Sequence, residues 1–534
     1  MTLTRPHGRQ ALDADGVDAF VHRLRGTYEE IYPANWQIDW RNVPSPFRWY
    51  EGIARIDLPP LPRGLTTGGA REAAALADRG LLAQVGGLLQ AAYGLTGVRW
   101  YPEGIAKSSP EEPAPVHRDP HYQLRRAVPS GGVTFPAECY LTTGGDDRLP
   151  AGVYHYDATR HALAPLVAGR PPVGIGRPDG GLRLVLTVPL WKNHFKYGDF
   201  SYRLAAMDTG AVIGQFALVA RRWEWSCRVS FGNDESLLLS QLGLDADVEA
   251  APVVLDIGPA GRLPDTGEAQ VGSLSWLGSM GKLDEAAGAR RMHGACLRAA
   301  RPGQPIELPP VSVSDLSPSP DAVLPSVDDE PTSVADAWAR TALGEQFRGE
   351  PADAGDLARW LAQVTAPLDC DVPGAGAGLA HPRCLVLVKS VTGIPAGAYL
   401  PLPGGGLGKL ADGEFGELVQ SCLFGSYMNF TQVPLIAVMV GAAEPHRLAS
   451  GPVGYRTQHA LAGVLTQRLA VAATRDGFSA HPVLGFVPAE LDRRLGLADR
   501  GLTSLLLVGI GRYRRAIYLE NSLHPVAGAD GGMT

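Results

Sequence analysis

Residues 191–215 read WKNHFKYGDFSYRLAAMDTGAVIGQ, and the organisation of the whole chain follows from this stretch. Its second part has the spacing of a helix that is buried nearly all round, with Gly210 and Gly214 small enough to let another element approach closely. Its first part is polar and places Lys196 beside Tyr197. Such a pair at the start of a buried helix is suited to proton transfer, because burial or a neighbouring charge can shift the pKa of either group toward neutrality. The alternative is an ordinary exposed surface pair.

A second, altered copy of this region lies further along the chain. SYRLAAMDTGAVIGQ at residues 201–215 is echoed by GYRTQHALAGVLTQ at residues 454–467, and a constant offset of 253 aligns the two copies without a gap over more than 40 residues. This register predicts an internal duplication, whose period is far too long for a solenoid. The matched pairs are Tyr202 with Tyr455, Arg203 with Arg456, Gly210 with Gly463, Ala217 with Ala470, Arg222 with Arg475, Ser226 with Ser479, Gly232 with Gly485, and residues 242–244 with 495–497.

Segments before the duplicated helix repeat as well. CYLTTGGDDRLPAGVYHYD, which begins at Cys139, shares the string PAG-x-Y with CLVLVKSVTGIPAGAYLPL, which begins at Cys384. The hydrophobic patterns predict a helix over about residues 68–94, a hairpin over 149–163, and buried strands over 182–191 and 251–258.

The two copies differ where chemistry is expected. In the same register, Lys196-Tyr197-Gly198 falls on Ala449-Ser450-Gly451, so the second copy keeps the glycine and loses both proton-handling side chains. The basic, glycine-rich loop described next also has no comparable counterpart. The first half thus keeps the polar residues that are suited to chemistry, and the second half keeps only the residues that form the fold.

The segment RRAVPSGG at residues 125–132 is suited to binding an anionic group. Its arginines supply charge and paired donors, Ser130 supplies a hydroxyl, and Gly131 and Gly132 allow close approach to backbone N–H groups. The alternative is a tight turn with solvated arginines. No G-x-G-x-x-G opens a helix after a strand, so a classical dinucleotide-binding fold is not predicted.

Composition excludes several classes of function. The formal charge of −7 and the lack of a basic cluster argue against nucleic-acid binding. The six cysteines form no C-x-x-C pair, and the histidines lack ligand spacing, so a zinc site, another metal site or a disulfide framework is not predicted. The first 16 residues lack the apolar core of a signal peptide, and no apolar stretch reaches membrane-spanning length. A cytoplasmic protein without membrane contact is therefore expected.

The 534 residues suggest two domains and a linker. We expect a first domain over residues 1–300, a proline-rich linker over 301–331, and a second domain over 332–534. The first domain begins with an aromatic, proline-marked arm at residues 36–50. The sequence leaves open whether this arm covers a site or belongs to the contact between the two halves.

The order R-x-x-PSGG, PAG-x-Y-x-YD, a strand, KYG, and YR-x-x-x-x-D-x-G resembles the SagB-type dehydrogenases. These belong to the flavin-dependent nitroreductase-like superfamily and include azoline oxidases of ribosomal peptide natural-product pathways. The resemblance covers nearly all of residues 1–258 and, more weakly, residues 332–515. ARTALGEQFRG, near the start of the second half, is similar to a nitroreductase N-terminus. The tandem layout resembles the dehydrogenases of thiopeptide-type gene clusters.

The resemblance implies an α+β fold of tandem nitroreductase-like domains, each a central antiparallel or mixed sheet flanked by helices. It also implies an intramolecular pseudo-dimer that holds FMN between the halves at a single complete site. SFGND stands where the family usually has a GGF-like string, which puts the second flavin-contacting loop in doubt. The residues implied to bind FMN are Arg126 and Ser130, near its phosphate, with Gly131 and Gly132, and in the doubtful loop Gly232 and Asn233.

The implied reaction is oxidation of a peptide thiazoline or oxazoline to the aromatic azole. Lys196 and Tyr197 match the catalytic pair and would share removal of the ring proton while hydride leaves for flavin N5; which one accepts the proton stays open. The implied partners are an azoline-containing precursor peptide and a cyclodehydratase, and further homodimerisation is left open. Two alternatives remain: an NAD(P)H-dependent nitro, quinone or dehydroamino-acid reductase on the same framework, and a non-catalytic docking partner of a peptide-modifying complex.

Overall fold

A computed structural model describes most of the chain in atomic detail. The described residues are 11–38, 40–100, 122–169, 171, 182–259, 270–271, 276–277, 283–309, 320–328, 330–342, 346–374, 382–425, 428–514 and 519–523. The polar segment 108–120, which precedes the basic loop, lies outside them.

Two sheets, whose central strands are antiparallel and follow the same order, form the framework. In the first sheet the central strands run Ala162–Ala168, Gly152–Asp157, Glu138–Thr143, Leu182–Pro189, Glu249–Gly258 and Ser226–Ser230. In the second they run Gly406–Asp412, Gly397–Pro401, Arg383–Val388, Leu435–Ala442, Leu502–Gly511 and Ser479–Val483. Shorter strands extend both edges of the first sheet (Gln270–Val271 and Ile56–Asp57 at one, Asp369–Cys370 at the other) and one edge of the second (Ala322–Val323).

The duplication inferred from sequence is exact in the structure over its last three strands. Leu182–Pro189, Ser226–Ser230 and Glu249–Gly258 begin and end 253 residues before their counterparts in the second sheet. The predicted hairpin and both predicted buried strands are present. The prediction of the buried strands succeeded because they are buried over nearly their whole length and are mostly apolar in sequence.

Helices surround the two sheets. The predicted helix over 68–94 is in fact two, Ala70–Ala77 and Leu81–Tyr93, because Gly80 between them has a φ of 88°. The other helices are Ala14–Arg23, Tyr28–Ile31, Gly64–Thr67, Trp191–Tyr197, Ser201–Trp223, Glu235–Gln241, Gly288–Ala299, Val334–Ala339, Ala354–Val364, Gly416–Cys422, Gly451–Arg475 and Ala489–Arg494.

Ser201–Trp223 and Gly451–Arg475, hereafter the first and second core helices, cross at the centre of the molecule. A Cβ on Gly210 would overlap the backbone of Ala460, and a Cβ on Gly463 would overlap the carbonyl of Met207. Met207 and Ala460 are themselves counterparts in the 253 register. The contact is therefore symmetric, as at the interface of a two-fold dimer.

Two arginines extend this symmetry beyond the crossing point. Arg203, on the first core helix, donates to the carbonyl oxygen of Leu505 in the second sheet at 2.7 Å. Its counterpart Arg456 reaches the other way and pairs with Glu235 of the first half. All three side chains that make these contacts are buried, so the two halves share one core.

The proline-rich segment is bound to the surface along its described parts. Residues 322–323 pair with the second sheet through Leu407 and Gly406. Residues 303–307 pack between the halves, where Glu307 donates its N–H to Ser450 at 2.8 Å. Over these described residues the segment is a loop folded over the surface.

Three further pieces complete the described chain. Leu519–Ser522, Leu95–Trp100 and Tyr122–Arg126 form a small antiparallel sheet. Trp49–Tyr50 pairs with Trp276–Leu277, and Ala352–Asp353 pairs in parallel with Val391–Thr392. The six cysteines form no disulfide. Within the described residues, no helix has both the length and the apolar character needed to cross a bilayer.

Candidate active site

The site begins where the central strand Leu182–Pro189 of the first sheet ends. The short helix Trp191–Tyr197 follows and stops at Gly198, whose φ of 51° an L side chain rarely adopts. Gly451, its counterpart, has a φ of 54°. The two copies thus keep this glycine because both need the same left-handed turn before a core helix.

The glycine-rich loop lies directly against the Lys196–Tyr197 pair, as the motifs predict. A Cβ on Gly132 would lie 2.5 Å from the Tyr197 hydroxyl and 3.2 Å from Lys196 Nζ. Gly132 is exposed, whereas the loop residues beside it and both side chains of the pair are half-buried. The loop and the pair therefore form one surface that solvent or a ligand can reach.

The Lys196 ammonium faces aromatic rings. Its Nζ lies 5.8 Å from the ring centre of Trp40 and 5.7 Å from that of Tyr197. No acidic side chain in the described part of the chain forms an ion pair with it. Attraction to the ring faces holds the charge in place without neutralising it, so the ammonium stays available to a negative group.

The aromatic arm at residues 36–50 covers the helix Trp191–Tyr197. The sequence had left open whether this arm covers a site or belongs to the contact between the two halves. Trp36 packs over Gly198 at 3.2 Å from the position of a Cβ, and Trp40 packs edge-on against Phe195. Arg48 anchors the far end of the arm by donating to Glu249 in the first sheet at 2.7 Å, and both side chains are buried.

A carboxyl group that the sequence did not single out lies beneath the loop. Asp208, on the first core helix, accepts hydrogen bonds from the Ser130 hydroxyl at 2.7 Å and from the Gly131 N–H at 3.2 Å. Burial raises the pKa of Asp208 to about 7, against the opposing effect of these hydrogen bonds. The donors that the motif offers to an anion are thus engaged with a side chain of the protein.

The base of the loop is rich in buried guanidinium groups from both halves. Arg126 lies 3.9 Å from the ring centre of Tyr93 and donates to the Tyr93 carbonyl. Arg340, from the second half, donates to the Ala127 carbonyl at 2.8 Å. Burial, followed by the charges of Arg125 and Arg99, lowers the pKa of Arg340. Arg126 Nε and Arg340 Nη1 have no hydrogen-bond partner among the described residues.

The remaining predicted residues, Gly232 and Asn233, lie elsewhere. The Gly232 N–H donates to Asp371 at 2.8 Å, and the Asn233 amide donates to the Ser230 carbonyl at 2.6 Å. Both line a cavity with Ala449 and Ser450, the counterparts of Lys196 and Tyr197. The structure therefore brings six of the eight predicted residues together and places these two at the equivalent position of the other copy.

That equivalent position is largely filled by the chain itself. Gly303 donates its N–H to the Gly232 carbonyl at 2.9 Å, and Ile306, which is buried, donates to the Asp371 carbonyl at 3.0 Å. The cavity that remains has a volume of about 60 Å³. Ligand sites of cofactor size need at least about 300 Å³, so this cavity is too small for a flavin.

Symmetry indicates which loop faces the Lys196 site instead. Gly485, the counterpart of Gly232, accepts a hydrogen bond from the Phe424 N–H at 3.0 Å. The Phe424 ring lies 6.1 Å from that of Phe200, two residues beyond Gly198. The second half therefore contributes a wall next to the site of the first half.

Sequence reasoning missed three contributors to this site and left the role of a fourth open. Asp208 was visible as a lone carboxylate inside an apolar helix and as the D of the YR-x-x-x-x-D-x-G motif. Arg340 was visible in the string ARTALG. Trp40 belongs to the aromatic arm, for which the sequence allowed a role in covering a site. Phe424 carried no local mark of its role, because only tertiary packing brings it to Phe200.

The fold is that of the nitroreductases. A crystal structure of a protein assigned as a nitroreductase, from Anabaena variabilis, matches 93% of this chain and 99% of its own, with a TM-score of 0.68 and 19% sequence identity. The predicted α+β nitroreductase-like fold is thereby confirmed. At this identity the likeness bears on the fold alone.

Two proteins that are named for the processing of trifolitoxin and of microcin B17 are similar to the chain in sequence. The trifolitoxin-processing protein TfxB of Rhizobium leguminosarum bv. trifolii is 30% identical over 142 residues, and the microcin B17-processing protein McbC of Escherichia coli is 30% identical over 150 residues. These matches cover 24% and 25% of this chain, and the chain spans only 38% and 54% of the two relatives' lengths. No family model matches the chain. The similarity supports the resemblance found in the motifs.

Proposed function

We propose that the protein is an FMN-dependent azoline dehydrogenase that oxidises thiazoline or oxazoline rings within a ribosomally made peptide. One observation carries the proposal: Lys196 and Tyr197 meet the glycine-rich loop at Gly132 on an accessible surface, with the ammonium held between two aromatic rings. The nitroreductase fold and the two peptide-processing relatives support it.

The residues around the loop fit a bound FMN. Arg126 Nε and Arg340 Nη1 are buried donors without hydrogen-bond partners in the described part of the chain. Buried donors normally have a partner, and both of these belong to charged guanidinium groups suited to a phosphate. Arg126 and Arg340 would hold the phosphate end, and the 130–132 loop would lie along the ring system. Bound FMN would supply the acceptor for hydride.

Lys196 and Tyr197 would carry out the proton step. Ring oxidation removes one proton and one hydride from adjacent carbons, and aromaticity of the azole provides the driving force. We assign the proton to the Tyr197 oxygen, because the neighbouring ammonium of Lys196 stabilises a phenolate. Trp40 and Trp36 cover the helix that carries both groups and would restrict the access of water.

The count of flavin per chain tests the assignment of a single site. In the second half, residues 303–307 fill the equivalent position, and Ala449 and Ser450 stand in place of Lys196 and Tyr197. We therefore expect about one FMN per chain. The measurement is the visible spectrum of the purified protein, with released flavin identified and quantified. Two flavins per chain would show that the second half still binds cofactor. A colourless protein that cannot be reconstituted would favour the docking partner.

Loss of the proton-handling pair tests the reaction. We expect Lys196→Ala and Tyr197→Phe to stay yellow and to lose at least about 100-fold in ring oxidation, measured as loss of two hydrogens from a thiazoline peptide by mass spectrometry. Lys409→Ala, which removes a second-half lysine paired with Asp412, is the control and should keep full activity. Colourless Lys196 variants would mean that this residue binds flavin.

The substrate peptide and its upstream enzyme follow from the chemistry. Azolines arise when a cyclodehydratase closes cysteine, serine or threonine side chains onto the peptide backbone, so this protein would receive a cyclised precursor peptide from such an enzyme. Both sequence relatives are named as processing proteins of a peptide product. The competing reductase would bleach its flavin rapidly with NADPH in a stopped-flow experiment, whereas an azoline dehydrogenase would not.

A further inference from the structure

Asp208 is a buried carboxyl group that takes no part in the proposed proton and hydride steps. It lies in the middle of the first core helix and is 8% exposed. No lysine or arginine in the described part of the chain forms an ion pair with it. A buried acidic group without a counter-ion is costly unless hydrogen bonds compensate. The donors to Asp208 are the Asn193 side chain and, from the glycine-rich loop, Ser130 and Gly131.

The two donors from the loop hold it at adjacent residues. Ser130 donates its hydroxyl to Asp208 at 2.7 Å, and Gly131 donates its N–H to both carboxylate oxygens, at 3.2 and 3.3 Å. The Ser130 oxygen also accepts the Phe135 N–H at 2.8 Å, which closes the loop on itself. A single carboxyl group therefore fixes the height of the loop above the core helix.

The height of the loop matters because the loop is in close contact with its neighbours on the side that faces the protein. A Cβ on Gly131 would overlap the Leu204 side chain, and a Cβ on Gly132 would lie 2.5 Å from the Tyr197 hydroxyl. The loop is thus wedged between the core helix and the catalytic pair. A shift of the loop would displace the Tyr197 hydroxyl or open a gap beside it.

The second copy of the fold supports a functional role for this carboxyl. In the 253 register Asp208 corresponds to Leu461, just as Lys196 and Tyr197 correspond to Ala449 and Ser450. Leu461 lines a mainly apolar cavity, with Leu361 and Val364 among its neighbours. A leucine is therefore compatible with this position in the core helix, and the carboxyl is present only in the half that has the catalytic pair.

We propose that Asp208 is a positioning residue that holds the 130–132 loop against Tyr197 and so sets the shape of the flavin site. The proposal rests on the function assigned above. Burial raises the pKa of Asp208 to about 7, so keeping this carboxyl in the core lowers the stability of the folded protein at neutral pH.

The test uses the full-length chain with Asp208→Leu, which installs the residue of the second copy, and Asp208→Asn, which keeps the shape. Hydrogen–deuterium exchange of the flavin-free protein measures the loop directly. We expect the amides of residues 130–135 to exchange at least tenfold faster in Asp208→Leu. FMN affinity, measured by quenching of flavin fluorescence, should weaken at least tenfold. Thr209→Val, at the next helix position, is the control and should change neither value.

A double-mutant cycle with Ser130→Ala separates loop positioning from general damage. If Asp208 acts through the loop, Ser130→Ala in the Asp208→Leu background should weaken FMN binding less than twofold further. Additive effects, or loop exchange within twofold of wild type in both Asp208 variants, would overturn the proposal. Should Asp208→Leu fail to fold, Asp208→Asn decides the question by the same measurements. A wild-type protein that binds no FMN would refute the proposed function, and the exchange data would still test Asp208.

Discussion

Gly132 occupies the point where the loop, the Tyr197 hydroxyl and the Lys196 ammonium meet. Its φ of 64° lies in the left-handed region, and its missing side chain leaves the space in which the Tyr197 oxygen sits. Both properties require glycine, the first because of backbone strain and the second because of contact. The sequence motif showed two glycines, and the structure shows what this one makes room for.

Gly132→Ala should therefore affect catalysis more than stability. The left-handed alanine costs about 1 kcal/mol, and displacement of the Tyr197 hydroxyl should reduce kcat by roughly ten- to a hundredfold. Gly501→Ala is the matched control, because Gly501 has a φ of 65° and open space around its Cβ position. Equal kinetic effects of the two substitutions would show that strain alone is responsible.

The raised pKa of Asp208 predicts a pH dependence of stability. A carboxyl whose folded pKa lies above its unfolded value stabilises the protein fully at low pH, and this contribution is lost as pH rises through the folded pKa, here about 7. Between pH 6 and 8 the loss amounts to about 1.4 kcal/mol. Asp208→Asn should lack this component, so unfolding by urea at several pH values should show a flatter profile for the variant. Parallel profiles would contradict the assignment.

At the scale of elements, the aromatic arm is the part of the site that lies far in sequence from the residues it covers. Residues 36–50 precede the helix that carries Lys196 and Tyr197 by about 150 positions and still supply its cover, through Trp36 over Gly198 and Trp40 beside Lys196. The buried pair of Arg48 and Glu249 ties the arm to the first sheet. The arm is thus a fixed wall of the site in this structure.

Trp40→Ala should weaken the reaction without loosening the arm. Removal of one ring face from the Lys196 ammonium should lower kcat/KM about two- to fivefold, with flavin content unchanged. Trp49→Ala serves as the control, because Trp49 lies in the same arm but its indole N–H approaches Thr159 on the hairpin of the first sheet. The interpretation fails if both substitutions lower kcat/KM equally.

Element prediction from the sequence succeeded where local pattern decides the outcome. The core helix, the hairpin and the buried strands follow from apolar spacing, and the ungapped register located the second set. The break at Gly80 was missed because the apolar run continues on both sides of it. Gly232 and Asn233 were assigned to the wrong neighbourhood for another reason: in a symmetric assembly a loop can face the partner's site, and a single sequence does not show such an exchange.

For the molecule as a whole, the two core helices decide whether the halves associate. Gly463→Ala would place a methyl group onto the Met207 carbonyl, and the helices would have to separate to admit it. We expect a loss of about 2 to 3 kcal/mol in the free energy of unfolding, measured by chemical denaturation. Gly64→Ala, at a position with open space, is the control and should change stability by less than about 1 kcal/mol. An unchanged midpoint for Gly463→Ala would mean that the close approach is not required.

The symmetric crossing of the core helices has a consequence for how such a protein can change over time. In a dimer encoded by one short gene, every mutation appears at both sites, so a residue that improves one site and harms the other cannot be kept separately. Here Lys196 and Ala449 occupy equivalent positions but are encoded by different codons. Because both halves lie in one chain, a candidate site in the first half can differ from its counterpart, and the second half can be selected for the wall that it presents to the first.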